Sequence, residues 1–93
     1  MAILSVLGSA TRQFIERRKS KFSGLDEELA FQRLSEIDAA KSLQVLAALK
    51  SVGLHKMQGN PSEFWSVKVN GPWRILFKFQ DGDASEVHIV DPH

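Results

Sequence analysis

The sequence predicts an α+β domain, with an N-terminal strand and two to three helices packed on a C-terminal antiparallel four-strand meander. Three observations carry that class. Between Phe64 and His93, apolar and polar residues alternate in runs separated by turn signals, the period-two pattern of half-buried strands. Between residues 9 and 49 the apolar residues recur at three- and four-residue spacing, the period of amphipathic helices. No linker, repeat or low-complexity stretch divides the 93 residues, so one domain is expected.

The meander is the organising element, because it holds both tryptophans together with Phe64, Phe77 and Phe79. Register follows from parity. Trp65, Val67 and Val69 share one face of a first strand; Trp73, Ile75, Phe77 and Phe79 share one face of the next. Bringing both apolar faces to one side requires an odd connection. Asn70-Gly71-Pro72 is therefore expected as a three-residue loop, with Asn or Gly at positive φ. The same reasoning places the next turn at Gly82-Asp83-Ala84, with Val87 and Ile89 opposite Phe79 and Phe77. Arg74 then falls on the other face, with Leu76 and Lys78. A fourth, short strand is expected at Leu54-His55-Lys56-Met57, closed by the turn residues Gly59-Asn60-Pro61-Ser62.

Ahead of the meander, Met1 to Gly8 reads as a short buried strand, since it lacks the basic residues of a signal peptide and the length of a membrane span. Ser9 to Arg18 forms a short helix with Phe14, Ile15 and Arg18 on one face. Ser23-Gly24-Leu25-Asp26 has capping-box spacing, with Ser23 as N-cap. The helix it opens presents Leu29, Ala30, Leu34 and Ile37 to the core and ends near Ala39 or Ala40. Ser42 to Leu49 adds a further turn or two, dense enough in apolar residues to pack on the sheet. Gly53 ends it.

Composition bounds the function. Forty-three per cent apolar and 25% charged residues describe an ordinary globular chain, and the absence of cysteine excludes disulfides and thiolate metal sites. A reducing, cytoplasmic setting is the expectation. A net charge of +1 by itself argues for no partner, whereas a chain that grips free RNA normally relies on many phosphate contacts. Arg17, Arg18, Lys19 and Lys21 are crowded together, which suits either a solvated helix end or an acid-binding patch.

From about Leu34 onward the chain resembles the HigB toxins of the RelE-like superfamily of bacterial toxin–antitoxin systems. The resemblance rests on His55 ahead of a Gly-Asn turn, then Phe64-Trp65-Ser66-Val67 and Trp73-Arg74-Ile75. Asp81-Gly82-Asp83-Ala84 and the closing Asp91-Pro92-His93 complete it. It implies a RelE-like microbial RNase fold and a ribosome-dependent mRNA endonuclease. Its partners would be the ribosome, the message and a helix-turn-helix antitoxin of the HigA kind, with no cofactor, metal or membrane. Carried over residue by residue, it implies catalytic roles for His55, Arg74, Asp91 and His93.

Those residue types suit the chemistry. Cleaving RNA through its own 2′-hydroxyl needs a base, an acid, and a cation beside the phosphate. Histidine, with an ordinary pKa of about 6.5, serves either proton role near neutrality, each typically worth about 10²–10⁴-fold in rate. The guanidinium fork of arginine matches a phosphate. Lys56 and Lys68 are the expected RNA contacts. Parity sets Arg74 and Asp91 on opposite faces, so a shared site requires the last residues to leave the sheet plane, which Pro92 favours. The chain departs from the family pattern at Gln58, where a Lys is common, at Asn70, where an Arg is common, and at Pro92, which replaces a Tyr. A catalytically weakened toxin fold that mainly binds its antitoxin is the alternative. A general RNA-binding domain using the Arg17–Lys21 cluster is a third reading.

Overall fold

The computed structural model describes residues 2–17, 22–57 and 64–91. Helices α1 (Ser9–Arg17), α2 (Glu27–Ala39) and α3 (Leu43–Ala48) precede a 3₁₀ turn (Lys50–Val52). Strands β1 (His55–Lys56), β2 (Phe64–Lys68), β3 (Arg74–Gln80) and β4 (Asp83–Val90) follow. The strands form one antiparallel sheet in the order β1-β2-β3-β4. The expected α+β meander is therefore present.

Alternation decides which face is covered. Val67, Ile75, Phe77, Ala84, Val87 and Ile89 are buried against Phe14, Leu34, Ile37 and Leu46 from the helices. Their neighbours Arg74, Leu76, Lys78 and His88 are only half-buried. One face of the sheet thus carries the helices and the core, and the other, open face is for the most part only half-buried among the described residues.

The β2–β3 connection is the expected one. Val69 donates to the Trp73 carbonyl at 3.0 Å, Trp73 donates to Asn70 at 2.9 Å, and Gly71 supplies φ +52°. Asn70 also works inside the fold. Its Oδ1 accepts from Asp26 N at 2.7 Å and its Nδ2 donates to Gly24 O at 2.8 Å, tying the hairpin to the entry of α2.

The β3–β4 turn differs from expectation. Gln80 pairs with Asp83, so the loop is the two residues Asp81-Gly82, both at positive φ (52° and 83°) as the type I′ turn requires. Ile89 lies opposite Ile75 rather than Phe77, and Phe79 lies opposite Ala84. A β-bulge between Leu76 and Lys78 reconciles this with parity. One extra residue in β4, with Glu86 at φ 50°, lets Ala84 on one side and Val87 and Ile89 on the other all reach the core.

Two further expectations are corrected. The N-terminal segment is not a buried strand: it makes only isolated parallel bridges, Ile3 to Ala84 and Val6 to Val87, and leaves Leu4 66% exposed. Its role is to cover the β4 edge. Ala84 N donates to Ala2 O, Val87 N to Ser5 O, and Glu86 N to Ser5 Oγ. Ile89 N donates to Thr11 Oγ1 of α1, so the edge amides are satisfied by neighbours. The N-cap of α2 is Asp26, not Ser23, because the Asp26 carboxylate accepts from Leu29 N at 3.1 Å while Ser23 sits in the preceding turn. As expected, α3 packs on the sheet, through buried Leu46 and partly buried Leu43, while Val45 is exposed. Among the described residues no helix is long and apolar enough to cross a membrane.

Candidate functional site

The open face is built from four strands whose registers bring particular side chains into rows. His55 pairs with Ser66, Ser66 with Leu76, and Leu76 with His88. The next row holds Lys68, Arg74 and Val90. Directly opposed residues share a face, so His55, Ser66, Lys68 and Arg74 all look the same way.

Ser66 is where they meet. Arg74 reaches diagonally across the β2–β3 pair and its Nη1 donates to Ser66 Oγ at 3.1 Å. Ser66 is fully buried although it belongs to the open face. His55 opposes Ser66 from β1 and is exposed. Lys68 opposes Arg74 and is exposed; its stem passes over Gly53, where an added Cβ would lie 2.6 Å from Lys68 Cδ. Gly53 at φ 60° therefore serves twice, closing the 3₁₀ turn and admitting the lysine. The register thus places one guanidinium, one ammonium and one imidazole on the same face around Ser66.

Arg33, a residue that amphipathic spacing assigns to the core side of α2 without a task, locks this arrangement from behind. Its Nε donates to Lys68 O at 2.8 Å, its Nη2 to Ser51 O at 2.9 Å, and its Nη1 pairs with Glu36 at 2.9 Å. It thereby joins the end of β2 to the turn that leads into His55. The only sequence signal for it was a basic residue one step before Leu34 in an apolar stripe.

The other expected site residues are distributed differently. Lys56 belongs to the opposite parity and stands 5.9 Å from the centre of the Trp65 ring, on the side away from Arg74. Asp91 follows the last residue of β4, whose Val90 opposes Arg74, and is exposed. His93, Pro92 and Gln58 lie outside the described residues, as do three members of the basic cluster, Arg18, Lys19 and Lys21. Glu86 pairs with Lys78 at 2.7 Å. His88 sits on the open face against Phe64, ring centres 5.3 Å apart. Among the described residues no three His, Asp or Glu side chains cluster as a metal site would need.

Helices on one side of a four-strand antiparallel meander and a cation-bearing face on the other are the architecture of a small RelE-like α+β domain. Residues 10–93 match the family of RelE-like toxins of the type II toxin–antitoxin system HigB, and the chain belongs to that family. It is 36% identical over 61 residues to Endoribonuclease HigB of Proteus vulgaris, a match covering 66% of this chain and 65% of that protein. Against Toxin HigB-1 of Vibrio cholerae it is 30% identical over 67 residues, covering 72% of this chain and 70% of the other. The match to the Proteus vulgaris protein thus spans just under two thirds of that relative.

Proposed function

We propose that the chain is the toxin of a HigA-type toxin–antitoxin pair and acts as a ribosome-dependent endoribonuclease on message, in the cytoplasm. The observation that supports this best is the grouping around Ser66: Arg74 at 3.1 Å, His55 directly across the β1–β2 pair, and Lys68 directly across from Arg74. Arg74 binds the scissile phosphate and offsets the charge that develops as the 2′-oxygen attacks. Ser66 takes one guanidinium donor and so fixes the orientation of the group. His55 takes the 2′-hydroxyl proton or returns one to the leaving 5′-oxygen. His93 takes the complementary role, and Asp91 orients an imidazole. Lys68 contacts a neighbouring phosphate. No step requires a metal.

The ribosome supplies what the small net charge does not, by presenting message in an extended form at high local concentration. The test is cleavage of a defined message in a translating extract. Wild type cuts, while Arg74→Ala and His55→Ala each lose at least about a hundredfold. Equal cutting by all three proteins would sink the assignment.

Gln58 and Pro92 support a second reading, in which the fold binds its antitoxin but cuts weakly, because a common cation and a common aromatic phenol are replaced. Induced expression separates the two. Growth arrest relieved by the adjacent reading frame belongs to the nuclease, and its absence at every expression level belongs to the binding module.

A further inference from the structure

Beside the Ser66 grouping, the open face carries a second group of side chains, on β2, β3 and β4, that the cleavage chemistry does not use. Phe64 and His88 meet with ring centres 5.3 Å apart and planes at 87°, reaching toward each other over β3. Leu76, which opposes both Ser66 and His88, lies in the same row between them. Lys78 Nζ stands 5.3 Å from the centre of the Phe64 ring and is paired with Glu86 at 2.7 Å.

The backbone holds this group in an unusual way. Glu86 is a non-glycine residue in the left-handed region, kept there by the bulge and by Ser5 Oγ, which accepts from its N–H at 2.9 Å. Bulges re-aim side chains, and strained residues concentrate at working sites. Here the bulge turns the Glu86 carbonyl toward His88, whose Nδ1 lies 2.8 Å from it. A carbonyl can only accept, so Nδ1 carries the proton and Nε2 is the nitrogen left to meet a ligand.

We propose that the Phe64–His88 corner is a nucleotide subsite, taking one unstacked base of single-stranded RNA next to the phosphate held at Arg74. Two rings at right angles let a planar base lie flat on one and set its edge against the other. His88 Nε2 is within reach of that edge, and Lys78 is placed for the phosphate on the far side. The spacing fits. His88 is the diagonal neighbour of Arg74, through Val90, and the backbone positions of such neighbours stand about 7–8 Å apart, on the order of one nucleotide, with the Arg74 guanidinium reaching away toward Ser66. An aromatic platform is sequence-tolerant, because every base has a π-face. The subsite rests on the nuclease reading above and names how the substrate is held there; it also supplies a stacking surface in a chain whose Pro92 is not aromatic.

The experiment uses the full chain and a short single-stranded oligoribonucleotide containing 2-aminopurine, whose fluorescence falls when the base stacks on a ring. Wild type should quench it. His88→Ala should weaken binding by roughly 5- to 150-fold, the range expected for one base–aromatic stack, with an unchanged melting temperature. His88→Tyr should restore the quench, since it keeps a ring in the corner. Phe64→Trp should likewise retain it, which guards against a Phe64→Ala variant that fails to fold. In the translating extract, His88→Ala should raise KM and redistribute cut positions while leaving kcat nearly intact. Absence of quenching in wild type, or equal quenching by wild type and His88→Ala, would overturn the subsite. So would a His88→Ala protein that keeps its quench but no longer holds the product of the adjacent reading frame, which would make the corner a protein contact. If wild type cuts no message at all, the nuclease reading falls while the quench still decides the corner.

Discussion

The two faces of the sheet are made from the same strands and obey different rules. On the helix side, Ile75, Phe77, Val67 and Val87 are fully buried, and their contribution scales with the apolar area removed from water. On the open side, Arg74, Lys78 and His88 are half-buried and held by hydrogen bonds, an ion pair and ring contacts. Each of those is worth little to stability at an exposed site. The covered face therefore determines whether the chain folds, and the open face is left to determine what it binds. The difference is sharpest within one strand, where β3 alternates Arg74, Leu76 and Lys78 with Ile75 and Phe77.

The largest effect that separates the faces is expected at Phe77. Replacing this fully buried ring by alanine leaves a cavity at the centre of the sheet and should cost about 3–5 kcal/mol, read from denaturant midpoints at unchanged slope. For a domain this small that is a large part of the whole stability. A loss below about 1 kcal/mol would mean the core is centred elsewhere. Arg33 tests the link between the faces. Arg33→Met keeps the length of the stem but removes the donors to Lys68 O and Ser51 O and the partner of Glu36, which should cost about 2–3 kcal/mol. Because those two carbonyls flank His55 and Arg74, amide exchange should rise across Ser51 to Lys56 more than across β3 and β4. Uniform exchange along the sheet would deny Arg33 that linking part.

What the sequence made legible follows the same division. Period-two alternation and the odd loop at Asn70-Gly71-Pro72 give the β2–β3 register correctly, because a slip there would send a whole apolar face into water. Parity failed at β4. It assumes one residue per step, and a bulge adds a residue that no composition signal marks; Glu86 in a left-handed conformation is chosen by its neighbours rather than by its own preference. Ser23 and Asp26 both qualify as caps, and the choice was made by Asn70, 44 residues away, which takes the Asp26 amide. On the open face, Arg74 was placed on the right side by parity alone, whereas its contact with Ser66 depends on a side chain crossing between strands. Lys56 shows the limit: one step along the strand from His55, it belongs to the other face.

The smallest expected effect bears on the bulge. Glu86 sits at φ 50°, a region that costs a non-glycine residue on the order of 1–3 kcal/mol, and its carboxylate pairs with a partly exposed Lys78 in a contact worth roughly 0.2–1 kcal/mol. Glycine removes both the strain and the pair. Glu86→Gly should therefore leave stability within about 1 kcal/mol of wild type, on the stabilising side if the strain dominates, although it deletes a visible ion pair. Glu86→Val loses the same pair and keeps a β-branched residue in the left-handed region, so it should cost more than glycine by about 1–3 kcal/mol. If the two variants were equally destabilised, the ion pair and not the backbone would govern the bulge. The open face would then contribute to folding in the way the covered face does, and the division between the two faces would fail at its weakest point.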